Sequence, residues 1–136
     1  MKNLILTFFY CFTALLNAQS TKSDIKTYYF KYSYITASDS GNKTVFVRPW
    51  GRNVTINYDE FLKSIEVTFI DTSNEEGDIR FSYISESTNG LWLMKDNFNK
   101  KYHVLNNLDN NKFMFIFHEI IDGLLLHIEM TDKLKE

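Results

Sequence analysis

The chain has 136 residues, of which 44% are hydrophobic and 16% aromatic, and its formal net charge is −2 at pH 7. This length fits one compact domain and leaves little room for two. Such a weak acidic balance gives no electrostatic footprint for nucleic acid or for an anionic membrane surface, so neither class of partner is expected.

The first 18 residues have the layout of a secretory signal peptide. Lys2 is their only charge, an apolar run covers residues 4–16, and Ala18 puts a small residue at the cleavage position before Gln19. The run is shorter than the roughly 20 residues that a membrane-spanning helix needs. We therefore expect cleavage, export to the periplasm or the extracellular space, and no membrane span after cleavage.

Cys11 is the only cysteine, and it lies inside this apolar run. Its removal with the signal peptide would leave the mature chain without a disulfide or a thiol ligand. The alternative is a lipoprotein in which Cys11 becomes the acylated first residue. Aromatic residues at positions 8–10 disfavour it, because lipoprotein signals carry leucine and small residues before the cysteine.

For the chain after residue 18 we predict a polar tail at residues 19–25, a β domain at 26–131 and a charged tail at 132–136. Apolar and polar residues alternate with the period of two that is typical of half-buried strands. This pattern recurs in about nine segments, at residues 28–34, 45–47, 54–58, 65–69, 79–83, 91–95, 101–105, 113–119 and 124–130.

Turn-forming residues separate these segments, at positions 40–42, 50–51, 74–77, 89–90, 106–111 and 122–123. Consecutive strands with short links pair antiparallel, and a sheet of this size must close or fold over itself. We predict an all-β domain of eight or nine short strands, either a meander barrel or a flattened sandwich, lipocalin-like only in general form. The one helical signal is a single turn that Asp59 could cap.

An outer-membrane barrel is the rival interpretation, because the chain is exported and rich in aromatic residues. Charged residues interrupt the second face of the strands too often for a lipid-facing band; they are Lys31, Glu66, Arg80 and Lys95. The pattern favours a barrel or sandwich in water over a barrel in a membrane.

The last hairpin raises the possibility of a metal site. With a two-residue turn at Asp122-Gly123, His118 faces His127, and Glu129 lies on the same face. Two imidazoles and a carboxylate suit zinc or another divalent metal. The favoured alternative is a cross-strand polar pair that holds no metal, and a slipped turn would separate the two rings.

Trp50 and Trp92 are the candidate ligand-binding residues, since tryptophan rings serve as stacking platforms in sugar-binding modules. Packing in the core or at its rim is the favoured alternative. A two-residue turn at 89–90 would place Trp92 opposite Ser87, at one end of the core stripe of that hairpin.

Catalytic patterns are absent from the sequence, so an enzyme is not the favoured interpretation. Residues 71–78 depart from the calcium-loop spacing, and Asp59 and Glu60 are adjacent rather than opposed across a substrate. His118-Glu119 is followed by Ile-Ile-Asp, which does not complete a zinc-protease helix motif.

The signal ending "NAQS" and the segments "NVTINYD", "KSIEVTF", "DIRFSYI" and "KDNFNKKYHVL" resemble small uncharacterised exported β-domain proteins of Bacteroidota-type bacteria. The likeness covers residues 50–130 and implies a single β domain outside the cytoplasm, with no activity to transfer. We therefore expect an exported non-enzymatic binding or interaction module for a small apolar or carbohydrate ligand. The alternatives are a metal protein using His118 and His127, and a structural cell-envelope protein.

Overall fold

The computed structural model describes residues 24–87 and 89–136. It contains eight antiparallel strands, each hydrogen-bonded to the next, and pairing of the first with the last closes the sheet into a barrel. The strands are β1 (Ile25–Ser38), β2 (Thr44–Asp59), β3 (Ser64–Asp71), β4 (Glu76–Glu86), β5 (Trp92–Lys95), β6 (Lys101–Asn107), β7 (Lys112–Phe117) and β8 (Leu125–Thr131).

This architecture confirms the predicted all-β meander and selects the barrel over the sandwich. It has the general up-and-down form of lipocalins. The predicted signal peptide, residues 1–18, lies outside the described residues, as does the predicted polar tail up to residue 23.

The loops alternate between two ends of the barrel because neighbouring strands are antiparallel. The links after β1, β3, β5 and β7 lie at one end, which we call the hairpin end. The links after β2, β4 and β6 lie at the other, which we call the mouth end. The last of these contains a 3-10 turn, Leu108–Asn110.

Side chains fill the barrel interior. Buried apolar residues from all eight strands form one core cluster. At its centre, the ring centroid of Phe81 lies 5.3 Å from that of Tyr102 and 5.2 Å from that of Phe115. An eight-stranded barrel is just wide enough for its own side chains to fill. The space where a lipocalin-type barrel holds an apolar ligand is therefore occupied by protein.

The predicted turn at Trp50-Gly51 is wrong, because both residues lie within the single long strand β2. Trp50 is an extra residue at a bulge, and its ring turns inward onto Phe69, with centroids 4.1 Å apart. Gly51 does not form a turn; it allows atoms of the neighbouring strands β1 and β3 to lie close to β2. A Cβ there would lie 3.0 Å from the carbonyl oxygen of Ile70 and 3.2 Å from Oγ of Ser33.

The alternation in β1 also breaks midway. Phe30 and Ser33 are both buried although they are three residues apart. Opposite this break, Asn53 has a φ of 49° and the β2–β3 register shifts between Arg52 and Thr55. Tyr34 is buried as well, and its hydroxyl accepts a hydrogen bond from the backbone N–H of Lys135 at 2.9 Å.

The β4–β5 hairpin is shifted by one residue from the predicted register. Trp92 pairs with Glu86 rather than with Ser87. The backbone N–H of Ser87 donates to the carbonyl of Leu91, so the turn has three residues instead of two. Trp92 nevertheless ends a core stripe, as predicted, since its ring packs against Tyr83 with centroids 5.4 Å apart.

Three turns at the hairpin end share one design, which the alternation of apolar residues does not predict. Each begins with an aspartate whose Oδ1 accepts backbone hydrogen bonds from the residues two and four positions on, at 2.8–3.0 Å. Each has an asparagine three positions on with φ near 60°, in the left-handed region that asparagine tolerates. The turns are D-S-G-N-K at 39–43, D-T-S-N-E at 71–75 and D-N-F-N-K at 96–100.

Asp59 uses its side chain in a related way after β2. Its Oδ1 accepts a hydrogen bond from the backbone N–H of Leu62 at 3.0 Å. The capping role predicted for Asp59 is therefore present, although the segment forms a turn rather than a helix.

Candidate functional site

The predicted pairing of His118 with His127 is wrong. β7 and β8 pair Ile116 with His127, whereas the bridge nearest the turn joins Ile121 to Leu124, as the predicted turn requires. Two extra residues on the β7 side separate these pairs. A shift of two keeps every side chain on its predicted face but moves the two imidazoles apart.

His118 instead contacts His103, which the sequence could not place. Nδ1 of His118 lies 3.0 Å from Nε2 of His103, and the ring centroids are 5.1 Å apart. The contact forms because the N–H of His118 donates to the carbonyl of Lys101 at 3.2 Å, which extends the β6–β7 pairing. The spacing of the two histidines in the sequence does not predict this contact.

The candidate metal ligands His118, His127 and Glu129 are not brought together in the barrel wall. Glu129 is hydrogen-bonded by Nζ of Lys135 at 2.6 Å, and His127 and His118 lie on different cross-strand pairs. Within residues 24–87 and 89–136, no group of three or more histidine, cysteine, aspartate or glutamate side chains is placed to hold a metal ion.

His127 gives the described chain a pH dependence. Burial lowers its pKa below the ordinary 6.5, Lys135 lowers it further, and Glu129 partly opposes them. The unfolded chain then binds the proton more readily, so we expect stability to fall as the pH drops from 6.5 through the folded-state pKa. Urea denaturation at neutral pH and at about pH 5 measures the loss. It should be smaller in His127→Gln; an equal loss in both proteins would contradict the assignment.

The two candidate tryptophans lie in different surroundings. Trp50 is inside the barrel against Phe69 and Phe115, so its ring is a core element rather than a ligand platform. Trp92 lies at the mouth end, where it packs against Tyr58 and Tyr83 with centroids 5.9 and 5.4 Å away. Only Trp92 therefore remains a candidate for ligand contact.

Trp92 lines a cavity of about 200 Å³ that we call the mouth cavity. The starts of β1 and β5, the ends of β2 and β6 and the 3-10 turn meet there, because the meander brings these segments to the same end. The lining residues are Lys26, Tyr28, Tyr58, Glu60, Trp92, Asn106, Asn107, Leu108 and Asp109. Three aromatic rings thus share a small space with two amides, two carboxylates and an ammonium group.

Hydrogen bonds hold part of this lining in place. The hydroxyl of Tyr28 donates to Oδ1 of Asp109 at 2.9 Å. Burial, followed by this bond, raises the pKa of Tyr28 above its ordinary value of 10, so the hydroxyl stays a donor at neutral pH. Burial also raises the pKa of Tyr58. Lys26 and Glu60 form an exposed ion pair at 3.4 Å across the rim, of the kind that contributes little to stability.

No family model matches the chain. No curated protein and no solved structure matches it either. In the part of the chain that the structure describes, no helix is long and apolar enough to cross a membrane.

A larger depression of about 630 Å³ lies on the outer wall between β2, β3 and β4. Three of its four charged groups pair with each other, since Nε of Arg80 lies 3.2 Å from Glu66 and 3.7 Å from Asp78. Its lining has one aromatic ring, that of Phe69, which stacks on Trp50, and one amide, that of Asn53. The mouth cavity is therefore the stronger candidate, despite its smaller volume.

The sequence pattern assigned most residues of the mouth cavity to strands or turns and did not mark them as a site. Tyr28 and Tyr58 stand in the strand patterns, and residues 106–109 fall in a predicted turn. Their common position follows from the strand order and from the closure of the barrel. The signal that could have identified them is an aromatic residue at the mouth end of the inward-facing residues in each of several strands.

Proposed function

We propose that this protein is an exported, non-enzymatic binding module that holds a small polar ligand of the carbohydrate class in the mouth cavity. The observation that carries this proposal is the convergence of Trp92, Tyr28 and Tyr58 with the side chains of Asn106 and Asp109. Export rests on the signal-peptide pattern of residues 1–18.

The chemistry of the lining favours a sugar over an apolar ligand. A sugar ring presents C–H groups on its faces, which contact aromatic side chains, and hydroxyl groups around its edge. Asparagine amides both donate and accept hydrogen bonds, and a carboxylate accepts them, so the set fits hydroxyl groups well. An apolar ligand would leave these polar groups unpaired, at about 1–3 kcal/mol for each buried one.

The volume limits the ligand to a small unit. About 200 Å³ corresponds to roughly seven waters at their liquid volume of about 30 Å³ each. One sugar residue, alone or at the end of a chain, therefore suits the cavity better than a long segment. The filled interior argues against the lipocalin-like alternative, in which an apolar ligand enters the barrel.

Calorimetric titration with glucose, N-acetylglucosamine and glucuronate tests the proposal on the chain from residue 19. We expect saturable binding of at least one sugar, with affinity reduced about tenfold in Asn106→Ala, the cost of about one good hydrogen bond. Trp92→Phe should also weaken binding. Asn97→Ala is the matched control, because Asn97 is exposed at the hairpin end.

Tryptophan fluorescence gives an independent readout. In Trp50→Phe the remaining emission comes from Trp92 alone, and sugar binding should change it. In Trp92→Phe the emission comes from Trp50, which packs on Phe69 and does not line the mouth cavity, and should stay constant. Absence of binding by all three sugars, or equal affinity in wild type, Asn106→Ala and Trp92→Phe, would overturn the proposal.

A further inference from the structure

We infer that the first half of β2 is a docking edge for an extended, acidic segment of a protein partner. β2 has 16 residues, whereas its neighbour β3 has eight, and their pairing starts only at Gly51 with Asp71. Residues 44–50 therefore pair with β1 on one side alone. This edge lies at the opposite end of the barrel from the mouth cavity, so the inference does not depend on the proposed ligand.

The chain's own loops leave this edge open. The β3–β4 turn is fixed at the level of Arg52, whose Nη2 donates to Oδ1 of Asn74 at 2.8 Å. Oδ1 of Asp71 holds the same turn closed through two backbone hydrogen bonds. Across the described residues, the backbone of 44–50 has no strand partner other than β1. Its outward-facing N–H and C=O groups form a template for another strand.

A second overhang, at the start of β1, differs because the chain itself meets it. The backbone N–H of Lys31 donates to Oδ1 of Asp132 at 3.0 Å, directly beyond the end of β8. The C-terminal residues thus satisfy part of that edge. The β2 edge has no equivalent among the described residues.

The side chains of the β2 edge favour strand addition. Val45 and Val47 are 54% and 43% exposed, both on the outer face. On the inner side, the guanidinium of Arg48 covers the ring of Phe46 at 4.7 Å. Proteins usually protect open edges with inward charges, bulges or proline. Here Arg48, Pro49 and the bulge at Trp50 protect the end of the segment nearest β3, and Val45 lies at a second bulge. β-Branched residues otherwise flank the open backbone.

Charge decides which kind of strand would bind. Every charged residue between positions 40 and 58 is a cation: Lys43, Arg48 and Arg52. A second copy, pairing antiparallel through the same edge, would bring these cations against each other. An extended segment with alternating apolar and acidic residues would pair its backbone with β2 and its carboxylates with Lys43 and Arg48. Strand addition of this kind draws affinity from main-chain hydrogen bonds and specificity from the side chains.

Binding of an acetylated peptide Glu-Val-Thr-Val-Glu-Val-Asp, measured by calorimetry, tests the inference. We expect binding to weaken about tenfold when both Lys43 and Arg48 are changed to glutamate, and a peptide with lysine in place of the acids to bind this double variant instead. Val47→Glu should also abolish binding of the acidic peptide. Thr68→Glu is the matched control, because Thr68 lies on the outer face of β3 with partners on both sides.

Backbone methylation separates strand addition from simple charge attraction. Successive N–H groups of a strand point to opposite edges, so methylation of every second amide blocks one edge only. One of the two possible methylated peptides should lose binding, while the other keeps it. Equal effects of both, no effect of Val47→Glu, or no exchange of charge preference would overturn the inference. So would dimerisation of the chain alone that Val47→Glu abolishes, since the edge would then belong to a second copy.

Discussion

We expect the Asp96→Ala substitution to lower the free energy of unfolding by about 3–5 kcal/mol. Asp96 is only 8% exposed. Its Oδ1 accepts hydrogen bonds from the backbone N–H groups of Phe98 and Lys100 at 2.8 and 2.9 Å, and its Oδ2 accepts one from the hydroxyl of Tyr102 at 3.0 Å. Hydrogen bonds to a charged group contribute about 1.5–3 kcal/mol each, and their donors would be left without an acceptor.

The tyrosine makes this turn different from its two relatives. Burial, followed by the hydrogen bond from its hydroxyl to Asp96, raises the pKa of Tyr102 well above its ordinary value of 10. The hydroxyl therefore remains a donor throughout the neutral range. Tyr102→Phe removes only this bond and should cost about 1 kcal/mol, because the carboxylate keeps its two backbone partners.

Asp39→Ala is the matched control for the Asp96 prediction. Asp39 makes the same two backbone hydrogen bonds, at 3.0 and 2.9 Å, in a turn exposed to water. Water can replace the lost acceptor there, so we expect a cost of about 1 kcal/mol. Urea denaturation of the three variants at neutral pH measures the differences. Similar losses for Asp96→Ala and Asp39→Ala would show that burial and Tyr102 add nothing to the shared turn.

The repeated turn could have been predicted from the sequence. Three segments with aspartate followed three positions later by asparagine fall between predicted strands, at 39–43, 71–75 and 96–100. Aligning these loops would have predicted three similar hairpins at one end, including the link at 96–100. The alternation of apolar residues did predict the strands and the meander, because a half-buried strand imposes that period directly.

Register was harder to predict because it depends on loop length and bulges rather than on pattern. The last hairpin keeps the predicted bridge at Ile121 and Leu124, yet two extra residues in the link after β7 place His127 opposite Ile116. An even shift leaves the burial pattern unchanged, so alternation cannot detect it. The metal hypothesis depended on register, and the face assignments did not.

The candidate site was predictable only in part for a related reason. Trp92 stood out as a large aromatic beside a turn, but Trp50 stood out in the same way and packs against the core. The neighbouring Gly51 made Trp50 resemble a loop residue. In the structure this glycine allows β1 and β3 to approach β2 closely. Closure of the barrel determines which inward-facing aromatic residues border a cavity. A local sequence pattern cannot predict this.

We expect Gly77→Ala to lower the free energy of unfolding by about 2–3 kcal/mol. Gly77 pairs with Phe69 across β3 and β4, and a Cβ at position 77 would lie 2.6 Å from Cζ of that ring. The ring cannot easily move away, because Trp50 stacks on it at 4.1 Å and the backbone of Gly51 lies close on β2. Overpacking of this kind costs about 1–3 kcal/mol.

A double-mutant cycle separates this contact from the general cost of changing a strand glycine. In the Phe69→Leu background the clash is relieved, so Gly77→Ala should cost less than about 1 kcal/mol, a coupling of about 1–2 kcal/mol. Gly41→Ala is the control, since the nearest atom to a Cβ there is 3.4 Å away. Its cost should stay below about 1 kcal/mol. Urea denaturation gives all four values, and additive losses at positions 69 and 77 would mean that the ring does not depend on the glycine beneath it.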